Sequence, residues 1–440
     1  MNKIKIHSWI KKEKNLIIIS LIFFLNLLGF LFYFQHLLSK GFLPSPFLYN
    51  KADTFMDFYN TLFWSHSNEK YTEWKSVYPP LNFLILRFVD FIFGGETLNS
   101  PFSLRENSPY LVLSVIIFYL ASNMLILNTK YWKDFNNIEK ILIYLALILS
   151  TPVLFSFERA NLILICPAIF FLVLISSGIK RSLFLAVLIN IKPYFFIINI
   201  YYFFKKDWKG LLNSVLLSGL IYFLTSIVMG GELFEFFKNI FDFSQKESIF
   251  SLREVMSMPS SISAFSFVLN NESGAVFASR FIDFQYIEFL IQAINTFEWM
   301  ILLFSFIVIW RNIDKITDLE LFTIIVLMIS NMNIFTGGYI YIMYFFFVPI
   351  FLNMYAKNFY ITCLFLIAIP LDFISLINEN IGIQLVYLTN VNIDVHWTLG
   401  LGSVIRPVVN ILLLIGMSCE ILIRSKRKEC LILNQNKHSK

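Results

Sequence analysis

Residues 16–38 read L-I-I-I-S-L-I-F-F-L-N-L-L-G-F-L-F-Y-F-Q-H-L-L, twenty-three residues without a single Asp, Glu, Lys or Arg. At about 1.5 Å of rise per residue, a helix of this length crosses a hydrocarbon core of about 30 Å. The run is too long for a signal-peptide core and no small-x-small cleavage site follows it, so it is expected to stay as an anchor. Lys3, Lys5, Lys11, Lys12 and Lys14 precede it. The positive-inside rule places that end in the cytoplasm.

The rest of the chain has the same character. Of 440 residues, 57% are apolar and only 15% charged, against roughly 25% charged in an average soluble domain. That balance excludes a soluble globular enzyme, a disordered chain and a nucleic-acid binder as default readings. It points to an all-α polytopic membrane protein with about 10–12 spanning or re-entrant helices. Further windows lie at 109–127, 138–157, 161–177, 211–230, 319–336, 339–356, 358–376 and 400–423, with a weaker one at 287–310. Two are ambiguous: 81–94 is short, and 183–204 is interrupted at Lys192-Pro193. Cys166, Cys363, Cys419 and Cys430 form neither a CxxC pair nor a cluster with His, so no disulfide framework or zinc site is indicated. The many Phe, Lys, Asn and Ile residues suit an AT-rich bacterial genome.

The ambiguous windows decide the topology. If 81–94 lies at the outer interface and 183–204 dips in and returns, then Lys130, Lys133, Lys140, Lys180, Arg181, Lys205, Lys206, Lys209, Arg311, Lys315 and Lys357 all face the cytoplasm. The basic tail at Arg424, Lys426, Arg427 and Lys428 does too. If both windows span, Lys130/Lys133 and Lys180/Arg181 move outside, which makes the first arrangement preferable. A break within the membrane requires protein or a wet cavity around the freed backbone groups. No internal repeat or linker is visible, so residues 1–440 are expected to form one membrane domain. It would carry a cytoplasmic N-terminus (1–15), a first outer loop (37–108), a large outer loop (231–286), a shorter outer segment (377–399) and a cytoplasmic tail (424–440). Outer loops of such length usually carry function.

The first outer loop holds Asp53 and Asp57 in K-A-D-T-F-M-D-F-Y-N. Four apart, they would share a helix face. They suit either a solvated helix start, where acids meet the positive dipole end, or a carboxylate against an apolar wall that accepts a hydroxyl proton. Lys192 sits about ten residues from either flank of its apolar window, too deep for easy snorkelling, and so is read as functional. Arg406 opens the last span in S-V-I-R-P and could pair with phosphate through its planar fork or anchor the interface. Glu158, Arg159 and Asn161 lie between two spans, as site residues or helix caps. His396 is a lone loop histidine. Glu288 and Glu298 flank a span entry. Asn331, Asn333 and Gly337-Gly338-Tyr339 mark a tight outer turn. Asn271-Glu272-Ser273 matches a glycosylation pattern at chance frequency. There is no phosphate-cradling glycine loop, no metal-ligand helix and no G-x-S-x-G.

Asp57-Phe58-Tyr59-Asn60 shortly after the first span, followed by Tyr78-Pro79-Pro80-Leu81, resembles the GT-C superfamily of polyprenol-phosphate-sugar-dependent glycosyltransferases, in particular the glycosyltransferase 87 type. The motif-level resemblance covers roughly residues 50–195, together with Arg406-Pro407. Phe157-Glu158-Arg159-Ala160-Asn161 and Ile191-Lys192-Pro193-Tyr194 are similar to its polar inter-span motif and its Lys-Pro break, with Ala160 where a glycine is usual. The resemblance implies an interfacial helix at 81–94, Asp57 as catalytic residue with Asp53 second, donor-phosphate contacts from Arg159, Lys192 and Arg406, and substrate contacts from Tyr59, Tyr78, Glu158, Asn161 and His396. It further implies inversion at the anomeric carbon and no obligatory metal; no cofactor is expected.

The expectation is therefore a multi-pass hexosyl- or pentosyltransferase of the bacterial inner membrane with an outward-facing site. It would move a sugar from a polyprenyl-phosphate donor to a glycan or glycolipid acceptor, with no nucleic-acid partner. Polysaccharide polymerases share the spans, the outer loops and basic residues such as Arg253 and Arg280, and remain an alternative. A lipid-linked glycan transporter is a third, disfavoured because paired charges near the midplane are missing.

Overall fold

The computed structural model describes residues 2–47, 49–94, 99–230, 234–245, 252–270, 283–332 and 334–438. Arg280, Asn271-Glu272-Ser273 and Asn333 lie outside them. Among the described residues helix predominates, with one two-stranded sheet. Among the described residues five helices are long and apolar enough to cross a membrane: Leu16–Lys40, Pro109–Leu127, Trp208–Met229, Ile287–Lys315 and Leu401–Lys426. A sixth candidate, Asn137–Ile148 with Thr151–Arg159, bends by 51°. The bend falls where Ser150 is extended and Pro152 enters the second helix, removing a backbone donor.

The remaining apolar windows form shorter elements. Residues 319–336 hold the helix Asp318–Met332, 339–356 a tight helix over Gly337–Phe351, and 358–376 the helix Lys357–Ala368. Their apolar character has another cause than lipid. Leu321 to Asn331 and Ile340 to Phe347 are buried almost without exception, so protein surrounds them. The long helices instead expose large apolar side chains, including Leu21, Phe24 and Leu31 on the first and Leu216, Leu220 and Ile227 on Trp208–Met229.

The interrupted window folds as a broken element. The helix Gly178–Ile191 stops at Lys192, whose backbone is extended (φ −134°, ψ 105°), and Pro193 starts a short tight helix to Asn199. The break leaves helix-end carbonyls without intrahelical partners. Asn82 answers one of them, its amide donating to the Ile191 carbonyl at 3.0 Å. Asn82 lies on the helix Pro80–Phe93, which has Pro80 at its first position and ends at Gly94 in a left-handed conformation. This 14-residue helix is too short to span. It buries Asn82, Phe83 and Leu86 and exposes Phe88, Phe91 and Phe93.

The segment 377–399 is an antiparallel hairpin of strands β1 (Ser375–Val386) and β2 (Val391–Gly400), with Val386 opposite Val391 and Asn380 opposite His396. Val386, Val395 and Trp397 are buried, and Val386 and Val395 cluster with Phe42, just past the end of the first helix. The Lys51 amide donates to the Leu385 carbonyl at 3.2 Å. Arg253 pairs with Glu379 at 3.2 Å. The hairpin thus packs on the loop that carries the two aspartates.

Candidate active site

Two short elements meet at Asp57. The helix Met56–Ser65 places Asp57 in its first turn, where unpaired N–H groups and the positive dipole end favour a carboxylate. The helix Thr151–Arg159 ends opposite it. The Phe55 amide donates to the Glu158 carbonyl at 2.8 Å and ties the two together. Asp53 is not on the helix, as its four-residue spacing suggested. It lies in the turn before it, and Arg159 brings the pair together. One guanidinium nitrogen lies 2.8 Å from Asp53 Oδ1 and the other 3.0 Å from Asp57 Oδ1.

The other Asp57 oxygen accepts from Asn161 Nδ2 at 2.7 Å and from the Tyr339 hydroxyl at 3.2 Å. Asn161 is oriented for this, because its carbonyl oxygen accepts from the Ile163 amide at 2.9 Å. The turn that presents Asn161 runs through Ala160, whose φ of 51° and ψ of 39° are left-handed. A glycine adopts that conformation at no steric cost, which gives the physical reason for glycine at this place in the resembling family. Both aspartates are largely withdrawn from water, with side chains 18% (Asp53) and 16% (Asp57) exposed. Burial pushes the Asp53 carboxyl above the usual range, and the Arg159 charge only partly reverses this.

Lys192 completes one side. Its ammonium sits 4.9 Å from the centre of the Tyr78 ring and within electrostatic reach of Asp57. Among the described residues no hydrogen bond or ion pair engages it. Tyr78 is held by its own carbonyl, which accepts from the Tyr71 hydroxyl at 3.0 Å. Burial and the Asp57 charge keep its phenol protonated.

The structure brings Asp53, Asp57, Arg159, Asn161, Tyr78 and Lys192 together, with Glu158 buried beside them. It leaves four candidates elsewhere. Tyr59 is fully buried and donates to the Ser108 carbonyl at 2.7 Å, so it anchors its helix. His396 points out from the hairpin, half exposed, beside Asp394. Glu298 accepts from Ser261 inside the bundle. Arg406 departs furthest from expectation. It is fully buried, pairs with Asp372 through both terminal nitrogens and donates to the Ile367 and Ile369 carbonyls. The likeness of Ser403–Pro407 to a phosphate contact could not reveal Asp372, some thirty residues away, which occupies the guanidinium.

Two contributors are not legible in the sequence. Tyr339 follows two glycines in an apolar stretch that reads as a turn. Arg105 is fully buried. One of its nitrogens donates to the carbonyls of Lys51 and Thr54, both at 2.7 Å, and its guanidinium lies 3.6 Å from the centre of the Tyr387 ring. It fixes the turn that holds Asp53. In the sequence it is one arginine between apolar windows, with nothing to single it out.

Residues 108–330, half of the chain, match the family described as Glycosyltransferase family 87. The matched stretch contains Arg159, Asn161 and Lys192, while Asp53, Asp57 and Tyr339 fall outside it. No curated protein and no solved structure matches the chain.

Proposed function

Because the chain belongs to glycosyltransferase family 87, we propose that it transfers a sugar from a polyprenyl-phosphate donor to a glycan or glycolipid acceptor on the outer face of the bacterial inner membrane, with Asp57 as general base. The observation that carries this reading is the set of donors around Asp57 and the unengaged ammonium of Lys192 beside it.

A carboxylate offers about four acceptor sites. Arg159, Asn161 and Tyr339 take three at Asp57. One remains on the oxygen that faces Arg159, and the acceptor hydroxyl would occupy it. The acceptor's hydroxyl oxygen attacks the anomeric carbon as the sugar–phosphate bond breaks; its proton passes to Asp57, and the electron pair of the broken bond leaves on polyprenyl phosphate. Negative charge then grows on the phosphate, where a preorganised cation lowers the barrier. Lys192 is the better candidate for that cation. Arg159 already neutralises two carboxylates, so its role is to hold Asp57 in place. Arg406 and Asp372 form a closed pair and take no part.

The donor's isoprenoid chain needs an apolar path. A cleft lined by Ile18, Ile22, Leu147, Tyr341, Val348 and Leu364 supports one; Tyr341 stands two residues from Tyr339.

The test uses the purified chain in lipid discs with polyprenyl-phosphate-linked hexoses and pentoses. Lys192→Ala is expected to raise the donor KM at least tenfold while the acceptor KM holds. Unchanged donor kinetics would remove the phosphate assignment.

A further inference from the structure

The helix Met56–Ser65, which carries Asp57 in its first turn, ends beside a group of aromatic rings. Asp57 and Trp64 are seven residues apart, two turns along the same face and about 10 Å along the axis. The Trp64 indole stacks on that of Trp74, with centroids 6.1 Å apart and planes 19° from parallel. Phe63 meets Trp74 edge-on at 6.1 Å. Trp74 is 39% exposed, and its neighbours Thr72, Glu73 and Lys75 are exposed too. Trp64 and Tyr78, the ring beneath Lys192, both pack against the buried cluster of Tyr71, Phe83, Met229 and Phe236, so the two aromatic groups share one support.

The loop bearing Trp74 is held unusually firmly. Lys70, fully buried, donates to the carbonyls of Met229 at 2.9 Å and Gly230 at 3.2 Å, at the end of the helix Trp208–Met229. A buried ammonium is costly unless paired, and the negative end of a helix supplies the pairing. Asn239 donates to the carbonyls of Tyr71 at 2.8 Å and Ser76 at 3.2 Å. The exposed indole is thus fixed before anything binds, which removes an ordering cost from binding.

The exposed Trp74 indole, on a loop that also exposes Thr72, Glu73 and Lys75, offers an apolar ring near polar groups, which suits a sugar ring with C–H bonds on its face and hydroxyls at its edge. We propose that the Trp64–Trp74 platform is an acceptor subsite. It holds a sugar at least one residue removed from the hydroxyl that Asp57 activates, so the acceptor is an oligosaccharide and not a single sugar. This rests on the glycosyltransferase reading above. An indole serving only as an interfacial membrane anchor is the competing outcome.

The full chain in lipid discs is given alkyl mono-, di- and trisaccharides of glucose, galactose, mannose and N-acetylglucosamine. Saturation-transfer NMR reads binding, and the polyprenyl-phosphate sugar assay reads turnover. In one series, longer acceptors should bind more tightly than the monosaccharide. Trp74→Ala should remove that preference, by roughly three- to tenfold in acceptor affinity, with donor KM and kcat unchanged and Trp74→Phe largely restoring it. Equal binding by wild type and Trp74→Ala across the panel, including none by either, overturns the subsite. So does a Trp74→Ala effect on donor KM or on retention in the lipid disc. Because NMR needs no turnover, an active Asp57→Asn enzyme would sink the base assignment without touching this result.

Discussion

Arg159 holds two carboxylates with one fork, and that geometry is specific to arginine. Lysine presents a single point charge and cannot bridge Asp53 and Asp57 at 2.8 and 3.0 Å together. Arg159→Lys is expected to lower kcat about a hundredfold, since small misplacement of a catalytic group costs rate on that scale; steady-state kinetics at saturating donor checks it. Asp53 has its own signature. Its folded pKa lies above the ordinary Asp value, so the folded chain binds its proton at a higher pH than the unfolded chain. Its contribution to stability therefore rises as the pH falls through the window just above about 4. Asp53→Asn should remove that part of the rise in thermal midpoint between pH 6 and pH 4. The residues legible in the sequence were those in short motifs, Asp57, Arg159, Asn161 and Lys192. Tyr339 and Arg105 were not, because a tyrosine in an apolar run and an arginine in a loop each have many ordinary uses.

The Lys192-Pro193 break was legible at the level of elements because proline cannot continue a helix and lysine is expensive in lipid. Its satisfaction by Asn82 was not, since the partner lies on another helix. Asn82→Ala should leave the Ile191 carbonyl unpaired, at a cost of roughly 1–3 kcal/mol, read as a lower thermal midpoint in lipid discs with the Asp57 site otherwise intact. At the Ala160 turn, glycine fits the left-handed backbone and a β-branched side chain does not. Ala160→Gly should keep full turnover, and Ala160→Val should lose it by displacing Asn161. The hairpin was within reach of sequence reading. Val391, Ile393, Val395 and Trp397 alternate with Asn392, Asp394, His396 and Thr398, the period of a half-buried strand. Between two apolar windows, that short alternation reads as a connecting loop.

Across the molecule, composition identifies a polytopic membrane protein but not how many windows touch lipid. The helix Asp318–Met332 and residues 340–347 are as apolar as the spans and are enclosed by protein instead. Sidedness is a separate matter. In a cysteine-free background, Lys75→Cys and His396→Cys should react with a membrane-impermeant maleimide on intact cells, and Lys206→Cys only after permeabilisation. The reverse pattern would place the site on the cytoplasmic face. The most direct measurement is transfer of a labelled sugar from polyprenyl phosphate by Asp57→Asn, beside wild type with the same thermal midpoint. Product formation should fall by at least a thousandfold, while wild-type rates from Asp57→Asn would show that the carboxylate at position 57 is not the base.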